Sequence, residues 1–284
     1  MIYIHSVGLL HLQEGEAIEI KPLLKAETQK VFRRTDRFIQ LALLGASRAM
    51  REQKLDEKTG LYMASGQGNL AVFNRLRDQQ YIDHQPPKPV DFINSLSNTA
   101  GFYVAQHLAL LGKNLNLNQQ GVVAYMTLLL AQNNLLVNQE KSVLVGGVDE
   151  LLHPLVFTRK FLGLDSHQKM GEGSNWLLLK REEKGAIASL AVDAERYTLE
   201  TLQQKLSGQN SDAIAFSPRL GLKERERLLK ASKASRYEYD EAFYETLPLY
   251  VLASFVEMQQ GSLHYVEYFE GNYYLLKVVC LTHS

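Results

Sequence analysis

Cysteine is almost absent from this chain of 284 residues: Cys280 stands alone, which excludes an internal disulfide framework and any zinc site built on thiolates. Proline is scarce, with seven in all, and no low-complexity tract or flexible linker interrupts the sequence. Net charge is missing too, because 31 Lys and Arg balance 31 Asp and Glu. The basic residues are scattered rather than striped, so a nucleic-acid partner is disfavoured. No long hydrophobic run is present: the most apolar window, 122–137, is broken by Gln132, Asn133 and Asn134. It falls short of the roughly 20 residues that cross a bilayer, so a buried helix and no membrane span are expected. The opening MIYIHSVGLL has no basic stretch before its short apolar run and does not read as a secretory signal, which sets the expectation of a cytoplasmic protein.

What is present suits a folded enzyme-sized body. Apolar residues make up 45% of the chain, enough for one large core or two fused ones, and disorder, collagen and coiled-coil readings are excluded. Strand-like and helix-like segments alternate throughout, the pattern of a layered α/β fold. Met1–Val7 reads as a strand, and in 36–50 the residues Phe38, Ile39, Ala42, Leu43, Ala46 and Ala49 form one apolar helical face. A strand over 61–65 runs into Gly66-Gln67-Gly68-Asn69 and a helix to about Arg77, while 85–89 is a proline-rich loop. Residues 97–111 predict a helix with Gly112 as its C-cap; then come an alternating Leu115/Leu117 strand, a tight turn at 118–121 and the apolar helix. The apolar run 142–148 is a strand buried on both faces, and 175–180 is another. Beyond it lie strands at 186–193 and 212–216, helices at 198–206, 222–231 and 247–260, and paired strands at 263–269 and 273–281.

Most chemical candidates have a plainer reading. Gly66-x-Gly68-x-x-Ala71 fits a dinucleotide fingerprint, but no strand ending in an acid follows at the required distance, and a structural turn is favoured. The eight histidines, at 5, 11, 84, 107, 153, 167, 264 and 283, never pair at the i, i+4 spacing of a helical metal site, so no metal is expected. His107 reads as a packed or interfacial histidine, and Cys280 as a neutral buried thiol. The turn 118–121 has the order of elements that presents a nucleophile at a strand-to-helix elbow, where free N–H groups and the helix dipole stabilise an anion. Asn118, Gln119 and Gln120 do not ionise.

At these residues the chain resembles the β-ketoacyl synthases of the thiolase fold, collinearly over nearly its whole length. Arg34-x-x-Arg37 with its alanine-rich helix, Met63–Asn69, Pro89–Asn98 followed by Leu110–Asn114, Gly146-Gly-Val-Asp-Glu150 and Gly171-Glu-Gly-Ser174 all match the family's motifs in order. The resemblance implies a thiolase-like layered αβαβα fold of two fused similar halves, 1–183 and 184–284, sharing one core and shortened relative to catalytic members. It also locates the departures. The family's nucleophilic cysteine lies three residues before the elbow glycine, here Gly121, which puts Asn118 in its place with Gln119 alongside. The two catalytic histidines fall at Ser217 and Glu245. An amide cannot carry an acyl thioester.

Within the family this profile is similar to the chain-length factors, which implies a non-catalytic subunit forming a heterodimer with an active ketosynthase. Acyl carrier protein would be met only indirectly, no cofactor is called for, and bacterial aryl polyene gene sets contain small degenerate subunits of this kind. The family pairs the strand before the nucleophile with its counterpart. On the preceding helix Phe102, Gln106 and Leu110 lie four apart with Tyr103 beside them, so these four, with Leu115 and Leu117, are the candidate cavity and interface residues. Ordinary helix-core packing is the alternative for each. Two rival functions stand beside the first: residual decarboxylation of malonyl thioesters, and a homodimer that binds acyl chains.

Overall fold

A short strand at the amino end lies in the middle of the molecule rather than at its edge. The computed structural model describes residues 1–16, 18–51, 53, 55–258 and 260–281, so His283 lies outside the described residues. Strands β1 (Ile2–Gly8) and β2 (His11–Gln13) lead into α1 (Ile20–Thr28), α2 (Arg37–Ala49) and β3 (Gly60–Ser65). Then come α3 (Leu70–Tyr81), α4 (Pro89–Ser95), α5 (Thr99–Leu108), β4 (Asn114–Asn118), α6 (Val123–Leu136) and β5 (Ser142–Asp149). Helix α7 (Leu155–Phe161) and β6 (Gly171–Lys180) precede β7 (Ala188–Val192), α8 (Leu199–Ser207), β8 (Ala213–Phe216) and α9 (Leu222–Ser232). The chain continues through β9 (Ser235–Arg236), α10 (Leu247–Glu257), β10 (Ser262–Phe269) and β11 (Asn272–Cys280).

The strands run in the order β4-β3-β5-β6-β1-β7-β11-β10-β8-β9. Strand β1 is antiparallel to both β6 and β7 and joins two wings. In the first wing β3 is parallel to β4 and β5; in the second β10 is parallel to β8. Both wings bury an apolar face on the same central helices, since one core holds α6 residues such as Leu128 and Leu135, α10 residues such as Leu252 and Val256, and strand residues of both wings. On the outside, α2 with α5 covers the first wing and α8 with α9 covers the second. Helix, sheet, helix, sheet, helix: this is the layered αβαβα, thiolase-like arrangement. Strand β5 is buried at every position, as a strand packed on both faces should be.

Local signals set the helix starts. The Asp36 carboxylate accepts from Ile39 N–H at 3.1 Å and caps α2, and Thr198 with Thr201 forms a capping box on α8. Several expectations need correction. The helix expected over 97–111 ends at Leu108, with Ala109 in the left-handed region (φ 55) as its C-cap. Gly112 is needed for another reason: a Cβ there would sit 2.5 Å from the carbonyl oxygens of Lys58 and Thr59. Leu110 is therefore past the helix and buried, and it does not share a face with Phe102 and Gln106. Pro89 is no loop residue but the first residue of α4, where its missing N–H costs nothing.

Candidate functional site

The parallel strands of both wings end at one place. Strands β3, β4 and β5 deliver the turns at 65–69 and 118–121 and the residue Asp149, while β8 and β10 deliver Ser217–Arg219 and Glu267–Phe269 from the other side. The segment entering α10 supplies Phe243–Thr246.

Asp149 ties these pieces together. Its buried carboxylate accepts from Ser65 Oγ at 2.9 Å, from Gly66 N–H at 2.8 Å and from Thr246 N–H at 2.8 Å. Burial pushes its pKa up to about 6, against the Gly66 N–H and with the help of the Glu245 charge. Glu245, whose side chain is fully enclosed, accepts from Gly121 N–H at 2.9 Å and pairs with Arg219, Nη1 to Oε2 at 2.9 Å and Nη2 to Oε1 at 2.5 Å. The guanidinium lies 4.5 Å from the Phe243 ring centroid and 5.5 Å from that of Phe269. Burial opposes the Arg219 charge, but Glu245 overcomes that and holds its pKa above the ordinary value. Behind them, burial raises the Glu267 carboxyl to about 7, with the Ser217 hydroxyl and Arg219 pulling the other way. Tyr268 N–H donates to it at 2.9 Å and Tyr265 Oη at 3.3 Å. A groove of about 1160 Å³ reaches this cluster, with Arg219 and Phe269 among its walls.

The structure thus puts Asn118, Gln119 and Gly121 in one turn that meets Glu245 through Gly121, with Ser217 beside Glu267 on the other side of Arg219. Asn118 and Gln119 are exposed at the end of β4, and Gln119 N–H donates to Ser65 O at 3.1 Å. No thiol, hydroxyl or imidazole side chain lies within the turn 118–121, and of the charged groups around it Arg219 and Glu245 are bonded to each other. Leu115 and Leu117 are half-buried, Leu115 against the central core, while Phe102 is 58% exposed, Gln106 exposed and Tyr103 half-buried. Core packing is excluded for Phe102.

The other candidates are structural. Gly66 N–H is spent on Asp149 and Gly68 N–H on Ser65 Oγ at 2.9 Å, so both glycine N–H groups of the turn serve the fold. His107 Nε2 is 3.0 Å from Ser47 Oγ and Nδ1 is 3.3 Å from Lys30 Nζ; burial first and Lys30 second lower its pKa to about 4. Burial raises the Cys280 pKa, as befits an unreactive thiol. Among the described residues no group of three His, Cys, Asp or Glu could hold a metal ion, and no helix is long and apolar enough to cross a membrane. Sequence reasoning left Arg219, Glu267 and Phe269 unassigned. The available signal was Glu267 itself, a carboxylate in a strand whose other residues are mostly apolar or aromatic.

The family model for the N-terminal domain of β-ketoacyl synthases matches residues 12–162, more than half of the chain. No curated protein matches. Among solved structures, the ishigamide ketosynthase/chain length factor is 14% identical with a TM-score of 0.66, covering 94% of this chain and 86% of that one. The complex AntDE:AntF, a type II polyketide synthase acyl-carrier protein with its ketosynthase bound to the hexaketide, gives 14%, 0.66 and 99% of both chains. A β-ketoacyl synthase from Burkholderia phymatum STM815 gives 12%, 0.70 and again 99% of both. At such identities the structural likeness is one of fold, and the sequence match supplies the kinship: the chain belongs to the β-ketoacyl synthase family.

Proposed function

We propose that this chain is a non-catalytic, chain-length-factor type subunit that pairs with an active β-ketoacyl synthase and shapes the cavity for its growing acyl chain. The observation that carries this reading is the elbow: its turn offers the amides Asn118, Gln119 and Gln120, and the neighbouring Glu245 is bonded to Gly121 N–H and to Arg219. The surface beside the elbow supports pairing. Among the described residues strand β4 is bonded only to β3; α5, which packs beside it, exposes Phe102 (58%), and α4, which packs on α5, exposes Phe92 (60%) and Ile93 (54%). One of the similar folds is described as a ketosynthase/chain length factor and another as a ketosynthase with its acyl-carrier protein, which fits an active ketosynthase as the direct partner and the carrier protein as an indirect one. A cytoplasmic setting and a division into similar halves at 1–183 and 184–284 belong to the same proposal.

Co-expression with a candidate ketosynthase, followed by mass measurement on the size-exclusion peak, tests it. A one-to-one complex whose acyl label sits only on the partner is expected. Covalent acylation of this chain, seen by intact mass, would overturn the silent role.

A further inference from the structure

The Glu245 carboxylate is held in the way a bound ligand is held. Its side chain is fully enclosed, and its two oxygens meet both terminal nitrogens of Arg219 and the N–H of Gly121. The cradle is cut to its outline. Gly66 lacks a Cβ, and one placed there would lie 2.1 Å from Glu245 Cγ and 2.4 Å from its Cβ. The Phe269 ring covers Gly121, where a Cβ would meet it at 2.7 Å, and together with Phe243 it flanks the guanidinium. Arg219 and Phe269 also form part of the groove wall, so the cradle adjoins solvent through the arginine. A planar guanidinium with both terminal N–H groups on one carboxylate, plus a backbone N–H in a site shielded from water, is general chemistry for recognising a carboxylate.

We propose that Arg219, Gly121 and Gly66 form a carboxylate-binding site opening on the groove, with Glu245 as its resident, and that a small free carboxylate occupies it once that side chain is removed. This deepens the silent-subunit reading: the resident closes the amino end of α6 to any incoming acyl group.

The test uses the full chain with Glu245→Ala and with formate and acetate as probes. Removing the resident leaves Arg219 enclosed without a counter-charge, so the melting temperature falls. Formate or acetate should then restore it saturably, by roughly 3 °C at tenfold excess over the dissociation constant. Chloride at equal ionic strength should not, and the unmodified chain should not respond. The double variant Arg219→Met/Glu245→Leu, which removes both charges, should fold and show no carboxylate effect. Equal stabilisation by chloride and formate would overturn the site, as would a Glu245→Ala chain that stays insoluble in formate while the double variant folds. Acylation of the unmodified chain by a thioester would sink the silent role and leave this site standing, so the two failures can be told apart.

Discussion

At the residue scale the clearest liability is His264. It is wholly buried on β10, and neither ring nitrogen has a hydrogen-bond partner among the described residues. Burial, followed by the Lys277 charge, lowers its pKa from 6.5 to about 4. A histidine depressed in this way gives stability in full above the unfolded value and loses it as pH falls toward the folded one; the span corresponds to about 3 kcal/mol at most. His264→Leu should therefore raise the melting temperature at neutral pH and flatten the loss between about pH 6.5 and 4. Matched thermal melts across that window check it; an unchanged acid limb would assign the loss to other groups. Gly66→Ala is expected to do the opposite, because its methyl group would collide with Glu245 and break the contacts of Asp149 or of Arg219. A loss of a few kcal/mol is expected, in the range of overpacked cores. Asn118→Ala should leave turnover of the complex within a few-fold, since the exposed amide has no chemistry to lose; a large drop in a steady-state assay would assign it a role. The strand-to-helix turn at 118–121 was legible because an alternating Leu115/Leu117 strand precedes it and an apolar helix follows it. The Arg219–Glu245 pair was not, since two charges 26 residues apart look like ordinary surface groups until the fold encloses them.

At the scale of elements, composition told most where it was extreme. Helix α2 has one strongly apolar face, α6 and β5 are nearly all apolar, and each was readable to within a few residues. Helices α1 and α7 and strand β2 were missed for want of such a signal: α7 is seven residues long and leaves Val156, Phe157 and Phe161 exposed. The end of α5 was misjudged because a glycine was given the capping role that Ala109 fills. For α5 the structure sharpens the experiment. Phe102 is too exposed for its truncation to open a core cavity, so Phe102→Ala should change the stability of the isolated chain by less than about 0.5 kcal/mol. In the complex the same change should lengthen the products or weaken the pairing. Melting of the free subunit, set beside product distribution and dissociation of the complex, separates these outcomes; no effect on either would place Phe102 outside the interface.

At the scale of the whole molecule, the unpaired edge of β4 and the exposed aromatic residues beside it leave a surface suited to another chain. The isolated subunit should self-associate at micromolar concentration and become monodisperse only with its partner, as light scattering on the two preparations would report. A stable, monodisperse monomer would count against an obligate pair. The layered architecture was legible from the alternation of strands and helices together with the family motifs, whereas the path of the sheet was not, because pairings such as β1 with β7 (Ile2 opposite Leu190) join segments about two-thirds of the chain apart. That placement of β1 governs how the protein comes into being. Both neighbours of β1 are made late, β6 over 171–180 and β7 over 188–192. At a translation rate of 5–20 residues per second, β1 waits about 10–40 s after its own synthesis before either edge can be matched. Throughout that interval the nascent chain carries β1, with Ile2 and Ile4 uncovered and both its edges bare, so its yield in a cell should depend on chaperone capacity and on the pace of synthesis more than on the stability of the finished fold.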